Sequence, residues 1–426
     1  FVWYGYYAAR AQVHYYRRGD WVVILLFGIL YYGFCRSYDA FHISISPISE
    51  IIYSQTLALI ISDFIMYVVI WLLSLYMPNA VPLLITFVVQ FLISVLWTFL
   101  AHQWYFHNFQ PGRTAVIYDL REGMESLVGE YGMEKKFHIE KVLGVEECLE
   151  KLSVLDEMDT VFLSGIHSHE RNIILKYCMY QDIQVYVIPR IGDVIMGGAK
   201  KVHMFHLPML RIDRYRPIPE YTIAKRAFDI LFSGIAIVIA SPFMLVTAIA
   251  IKSDGGPALY KQKRLTKDGK EFNVLKFRSM RVDAEKDGVA RLSTGDKDDR
   301  ITPVGKVIRK IRFDELPQLF NILRGDMSIV GPRPERPEIA RQYEEEMPEF
   351  RLRLQAKAGL TGYAQVYGKY NTTPYDKLLM DLTYIGTPSL WEDFKICLAT
   401  VKILFMPEST EGVEEGATTA MGGEKH

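Results

Sequence analysis

Two long apolar runs, 51–76 and 81–101, separated only by Met-Pro-Asn-Ala, limit how this chain can fold more than any other feature. Crossing a bilayer as a helix takes about 20 apolar residues, and both runs reach that length. A shorter run, 21–35 (WVVILLFGILYYGFC), precedes them. Its Trp21, Tyr31 and Tyr32 suit the membrane–water interface. Residues 1–110 are therefore expected to form an α-helical membrane bundle. Adjacent runs this apolar argue against the alternative of buried helices in a soluble core. Asp63 is the one charge in the second run and is costly there unless it is paired or faces a polar interior. Packing against a neighbouring helix is its simplest role.

Orientation is in tension. Arg17 and Arg18 ahead of the first run favour a cytoplasmic start, and three spans would then put the rest of the chain outside. An even number of spans keeps it inside, and FVWYGYY at 1–7 is read as the end of a further helix. Charge elsewhere is neutral in sum, with 49 basic and 49 acidic residues. That balance gives no case for a nucleic-acid partner. Cys35, Cys148, Cys178 and Cys397 are scattered without CxxC spacing, so they read as isolated thiols.

From 111 to 216 the pattern is that of a soluble α/β unit. Short β-rich runs at 114–118, 160–163 and 184–188 alternate with helical stretches at 123–131, 145–152 and 171–181. This predicts βαβαβ with a parallel sheet, Rossmann-like in outline. The loop after the first strand, YDLREGMESL, lacks the glycine fingerprint that lets a backbone approach a pyrophosphate. Asp119 and Glu122 bring negative charge where phosphate would sit. The unit is expected to be a degenerate scaffold or regulatory domain without cofactor. RYRPIPEY at 214–221 reads as a linker.

The third region, 217–405, is expected to be mostly α and to carry the chemistry. It opens on another apolar helix, 225–252, with Ser241-Pro242 in its middle. Proline there removes a helix hydrogen bond. The segment reads equally as a crossing helix or as a reentrant one that breaks at Ser241-Pro242 and returns. Further on, Leu316, Leu319, Phe320 and Leu323 recur at helical spacing. Asp314 then falls at the N-cap and Pro317 in the first turn. That geometry is a plain helix cap. It is also a place where free N–H groups could meet a phosphate and where a carboxylate could attack phosphorus. Glu315 could bind a metal, remove a proton or be solvated. Lys276 and Arg278 alternate with apolar residues in a β-like run that could hold phosphates or form a half-buried strand. The acidic pair Asp283 and Glu285 reads as loop. The last residues, 406–426, lack periodicity and are expected to be disordered.

Three blocks carry a family resemblance: KQKRLTKDGKEFNVLKFRSM at 261–280, DDRITPVGKVIRKIRFDELPQLFNILRGDMSIVGPRPE at 298–335 and AGLTGYAQVYGKY at 358–370. Together they resemble the bacterial sugar transferases, the polyprenyl-phosphate hexose-1-phosphate transferases or monotopic phosphoglycosyl transferases. The resemblance implies a catalytic pair at Asp314 and Glu315, with Asp314 as nucleophile, and a magnesium ion served by these carboxylates. It implies phosphate-binding arginines at Arg309 and Arg333; Lys276 and Arg278, read from the β-like run, are the further candidates for phosphate binding. It also implies a reentrant helix broken at Ser241-Pro242. Thr361, Gln365 and Lys369 fall in the part associated with nucleotide or sugar recognition. There the usual Pro-Gly-x-Thr-Gly has Ala358 in place of proline, and Gly-Lys369-Tyr370 replaces the usual Gly-Arg, which puts the exact substrate in doubt. The implied partners are a UDP-hexose, polyprenyl (undecaprenyl) phosphate and membrane lipid, at the bacterial inner (plasma) membrane with the catalytic part facing the cytoplasm. The implied reaction passes through an aspartyl sugar-phosphate and initiates capsule or exopolysaccharide synthesis. A non-catalytic assembly scaffold and a sugar-nucleotide oxidoreductase are the competing expectations. A homo-oligomer is left open.

Overall fold

The computed structural model describes residues 2–10, 18–253, 255–281, 300–368 and 372–404. Lys369, Tyr370, Asp283, Glu285 and the tail 406–426 lie outside the described residues. The chain divides into two compact units, one ending at Ile188 and one starting at Pro189.

The first unit opens with three long helices, α1 (Arg18–Ser37), α2 (Ile48–Ser74) and α3 (Val81–Asn108). Each is long and apolar enough to cross a membrane. Where α2 and α3 pack, small hydroxyl residues replace bulk. Ser54, Ser62, Ser94 and Thr98 are buried, and Thr98 reaches Gln55 at 3.5 Å. Small polar residues of this kind let apolar helices approach closely where there is no hydrophobic driving force. Asp63 is 7% exposed, with Gln90 of α3 as its polar neighbour.

The expected parallel unit follows. Its strands are β1 (Gly112–Tyr118), β2 (Phe137–Gly144), β3 (Thr160–Ser164) and β4 (Gln184–Val187), in the order β2-β1-β3-β4, all parallel. Helices α4 (Met124–Glu130), α5 (Val145–Glu150) and α6 (Ser168–Tyr180) cross over between them. Thr114 to Ile117 of β1 are all buried, as a central parallel strand covered on both faces requires. β2 was not anticipated. It is an edge strand, and its FHIEKVLG buries only alternate residues at best, so its apolar signal is diluted.

The second unit begins with α7 (Ile191–Gly197) and a hairpin of β5 (Lys200–Met204) and β6 (Leu207–Arg211). Next is α8 (Pro219–Lys252), a fourth helix apolar and long enough to cross a membrane. The expected loss of helix at Ser241-Pro242 does not occur, because the backbone is helical through both residues. Pro242 cannot donate to the carbonyl one turn back, at Val238. The Ser241 hydroxyl takes that carbonyl instead, at 2.8 Å, a repair that lets a proline persist in a membrane helix.

Beyond α8 lies a hairpin of β7 (Leu259–Leu265) and β8 (Glu271–Phe277), followed by α9 (Pro303–Lys310) and α10 (Gln318–Arg324). The chain then forms β9 (Ser328–Val330), α11 (Pro337–Glu346), β10 (Gly359–Thr361), α12 (Tyr363–Tyr367), α13 (Pro374–Gly386) and α14 (Leu390–Leu404). β9 and β10 pair in parallel around a core that includes Val330, Phe350, Leu378 and Ile396.

The start of α8 is tied to this body by charge. Arg226 donates to the carbonyls of Ile322 and Leu323 at 2.6 and 2.8 Å, capping the C-terminus of α10. Asp229 accepts from Ser328 Oγ and Ile329 N at 3.1 and 2.9 Å. Lys225 pairs with buried Asp393 of α14 at 2.9 Å, and Tyr221 and Tyr384 donate to the same carboxylate. Removing Asp393 would strand a buried ammonium and two hydroxyls. Asp393→Ala is therefore expected to destabilise the protein by about 3–5 kcal/mol. An unchanged thermal midpoint in detergent would refute this anchoring.

Candidate active site

The site is built where β8, a one-turn 3-10 segment at Phe313–Glu315 and the loop after β9 converge. Arg312 enters the 3-10 turn with a φ of 59°, in the left-handed region. This strained residue redirects the chain out of α9. The expectation that Asp314 caps a helix is corrected here. Asp314 lies inside the 3-10 turn, and α10 starts a turn later, with Pro317 before its first residue. The pattern Leu316, Leu319 and Leu323 runs straight through the join, so its periodicity could not reveal that the first turn is tighter than α.

Glu315 is held from two sides. Lys276 Nζ of β8 lies 2.7 Å from Glu315 Oε1, and Arg333 Nη2 donates to the same oxygen at 3.3 Å. Burial pushes the Glu315 carboxyl up, but Lys276 and Arg333 outweigh it and hold the group well below the usual carboxylate range. Asp314 goes the other way. Burial, then the negative charge of Glu315, raise its carboxyl above the ordinary value, against weaker pulls from Lys276, Arg309 and Arg312. Among the described residues Asp314 has no ion pair or hydrogen bond of its own. Two adjacent carboxylates are thus pushed apart, one firmly ionised and paired, the other free and harder to ionise.

The structure thus brings together Asp314, Glu315, Lys276, Arg309 and Arg333, and adds Arg312. Arg278 does not join them. It is buried against the far end of α8, where Nη2 donates to the Ile251 carbonyl at 3.1 Å. Thr361 is buried on β10 and shares a hydrogen bond with Thr400 of α14 at 2.6 Å. Gln365 donates to the Leu360 carbonyl at 3.1 Å and keeps a buried, unbonded Oε1. Lys369 lies outside the described residues.

The loop from Gly331 to Glu335 is seated by backbone contact. A Cβ on Gly359 would come 2.2 Å from Gly331 N, so the two glycines let β9 and β10 meet closely. Beside them Ala358 N donates to Thr266 Oγ1 at 3.1 Å, and Thr266 donates to the Asp326 carbonyl at 3.0 Å. A proline at 358 has no N–H for this bond. The substitution noted in the sequence therefore has a structural partner, Thr266.

A half-buried carboxylate pair ringed by cations, in a protein with four helices apolar enough to cross a membrane, suits a membrane-associated enzyme acting on phosphates. The comparisons identify which one. Residues 220–407 match the family model for bacterial sugar transferases. A UDP-N-acetylgalactosamine-undecaprenyl-phosphate N-acetylgalactosaminephosphotransferase of Aeromonas hydrophila is 40% identical over 234 residues, 54% of each chain. A UDP-glucose:undecaprenyl-phosphate glucose-1-phosphate transferase of Caulobacter vibrioides is 40% identical over 201 residues, 45% of this chain and 74% of the relative. A galactosyl transferase of Streptococcus agalactiae is 41% identical over 197 residues, 44% of this chain and 43% of the relative. The chain belongs to the bacterial sugar transferase family. It spans about half the length of the Aeromonas and Streptococcus relatives.

Thr266 links the β7–β8 hairpin to the loop beneath the site. Thr266→Val would leave the buried Ala358 N–H without an acceptor, at a cost of about 1–3 kcal/mol. Faster amide exchange at Ala358 is the expected signature, and unaltered protection would contradict it.

Proposed function

We propose that the protein moves a sugar phosphate from a UDP-hexose to undecaprenyl or another polyprenyl phosphate, the first step of a capsule or exopolysaccharide. The observation that carries this reading is the unequal pair: Asp314 free beside a Glu315 that is pinned between Lys276 and Arg333. The names of the similar proteins, which cite undecaprenyl phosphate with glucose and N-acetylgalactosamine donors, support it. The matched segment includes the whole site.

In this reading an Asp314 oxygen attacks the sugar-bearing phosphorus. The bond to the UMP oxygen breaks, UMP leaves and the sugar phosphate remains on Asp314. An oxygen of the lipid phosphate then attacks the same phosphorus, the aspartyl–phosphorus bond breaks, and the free carboxylate returns. Both attacks bring anion to anion. Arg309, Arg312, Lys276 and Arg333 supply the opposing charge. Glu315 is a weak proton acceptor, since a carboxylate held this far below its ordinary range binds protons poorly. Its role is to hold Lys276 and Arg333 in position.

Magnesium fits Asp314 better than Glu315. No cluster of three metal-ligating side chains occurs among the described residues. Magnesium characteristically keeps several waters and takes one or two carboxylates plus substrate phosphates. Asp314 has both oxygens unpaired for that, whereas Glu315 offers only Oε2, its Oε1 being shared by Lys276 and Arg333. Such an ion would neutralise charge on the transferring phosphates.

Membrane placement belongs to the same reading. α8 is bonded to one body near both its ends, through Arg226 and Asp229 at the start and Ile251 at the finish. That favours a reentrant helix, one that bends at Pro242 without losing its helical backbone, with the catalytic unit on the cytoplasmic face, where UDP-sugars are. Cysteine labelling at both ends of α8 from one side of sealed vesicles tests it. Opposite-side labelling would eliminate the reentrant path.

UMP release from UDP-glucose, UDP-galactose and UDP-N-acetylgalactosamine, with magnesium and polyprenyl phosphate, tests the chemistry. Asp314→Asn is expected to lower the rate by roughly 10³-fold or more, and Glu315→Gln by roughly 10- to 100-fold through misplaced cations. Full activity of Asp314→Asn would end the nucleophile assignment. No UMP from any donor with wild-type protein would leave the scaffold reading.

The pH profile gives an independent check. Activity needs ionised Asp314, whose carboxyl lies above the ordinary value. The rate should therefore rise with pH on a limb displaced upward from the usual carboxylate range. Glu315→Gln removes the charge that helps to raise Asp314, so the limb of the residual activity should move to lower pH. An unmoved limb would mean that another group titrates.

A further inference from the structure

We infer that Arg353, with Asp381 as its counter-ion, is the positioning residue of the loop that presents Arg333, resting on the phosphate-transfer reading above. Every carbonyl from Pro332 to Glu335 is bonded. Gly359 N donates to Pro332 O at 2.9 Å, and Leu265 N to Glu335 O at 3.0 Å. Arg264 Nη1 donates to Pro334 O at 3.0 Å, and Arg353 Nη2 to Arg333 O at 2.9 Å. The loop's two prolines, Pro332 and Pro334, have no N–H and fixed φ. Carbonyl partners are therefore the main means of orienting it. Arg353 holds the residue whose side chain reaches the site.

Arg353 makes that contact from a buried, charge-paired setting. It is 3% exposed, in the segment Pro348–Gln355, with its guanidinium 4.9 Å from the Phe350 ring centre. Nη2 lies 2.7 Å from Asp381 Oδ2 on α13, itself 1% exposed, and Nη1 lies 3.5 Å from Glu335. A line of contacts therefore runs from Asp381 through Arg353 to the Arg333 backbone carbonyl, and from the Arg333 side chain on to Glu315 and Lys276. This is a poor arrangement for stability alone. Buried ion pairs repay their desolvation only with excellent geometry. Here Nε and Nη1 of Arg353 are buried without hydrogen-bond partners, a penalty that an apolar side chain would avoid.

A purely structural Arg353 and a positioning Arg353 differ in how its loss combines with the loss of Arg333. A double-mutant cycle on UDP affinity, read by calorimetry on the full chain in detergent, separates them. In the wild-type background Arg353→Met is expected to weaken UDP binding by about tenfold or more, and Arg353→Lys, which keeps a donor, by less. With Arg333→Ala already present, Arg353→Met should weaken it by less than about threefold, because the group it positions is gone. Equal losses in both backgrounds would overturn the proposal, as would an Arg353→Lys as weak as Arg353→Met. Should Arg353→Met fail to fold, Asp381→Asn and Arg353→Lys complete the same cycle. A wild-type chain that binds no UDP would fail the phosphate-transfer reading and this proposal together. Additive losses in a chain that does bind would fail this proposal alone.

Discussion

Three separate pieces of chain meet at one oxygen, Glu315 Oε1: β8 through Lys276, the 3-10 turn through Glu315 itself, and the loop after β9 through Arg333. A half-buried carboxylate with two cations is worth more than an exposed pair, because screening is weaker there. Breaking it would leave either cations crowded together or a carboxylate buried alone. The remaining contacts fix the approach of the three pieces. Asn321 on α10 accepts from Leu275 N at 2.9 Å and donates to Asn273 O at 2.9 Å, locking α10 to β8 beside Lys276. The closely packed glycines of β9 and β10 seat the loop below Arg333.

The same body grips the root of α8. Arg226, Asp229 and Lys225 all sit within the first turns of that helix, and each is matched by a buried partner on α10, β9 or α14. β9 is thus held by Asp229 at Ser328 and Ile329, immediately before the Gly331–Glu335 loop. The apolar helix α8 and the loop that carries Arg333 share one short strand.

Much of this was legible in the sequence, and the failures have physical causes. The long helices were readable because an apolar run of bilayer length has few other uses. α3 still runs on to Asn108, past the apolar stretch, since helical hydrogen bonding does not stop where hydrophobicity does. The central strands β1 and β3 and the edge strand β4 are legible as β-rich runs, whereas the other edge strand, β2, is not. Lys276 lies on β8 and Arg278 just past its end, yet only Lys276 reaches the pair, because the end of α8 captures Arg278. No spacing rule encodes that distant carbonyl. Asp381 and Arg353 were equally silent, being single charges in unremarkable helical stretches whose meaning depends on a contact between elements 28 residues apart in sequence numbering, 353 to 381.

Asp314 is the sharpest case. Its sequence context suggested a helix cap, a role in which backbone N–H groups would occupy its oxygens and lower its reactivity. The 3-10 turn and Pro317 deny it those donors. Its neighbour pairs with Lys276 and Arg333, so among the described residues Asp314 keeps an unshared carboxylate in a half-buried setting that resists ionisation. In the proposed reaction a nucleophile would benefit from both conditions, because a group that is harder to ionise is also more basic once ionised. The deprotonated form must stay accessible for that, and Lys276, Arg309 and Arg312 pull in that direction. Ionisation of Asp314 therefore depends on how firmly Glu315 holds its own partners: a looser Glu315 would release cations to Asp314 and ease its ionisation.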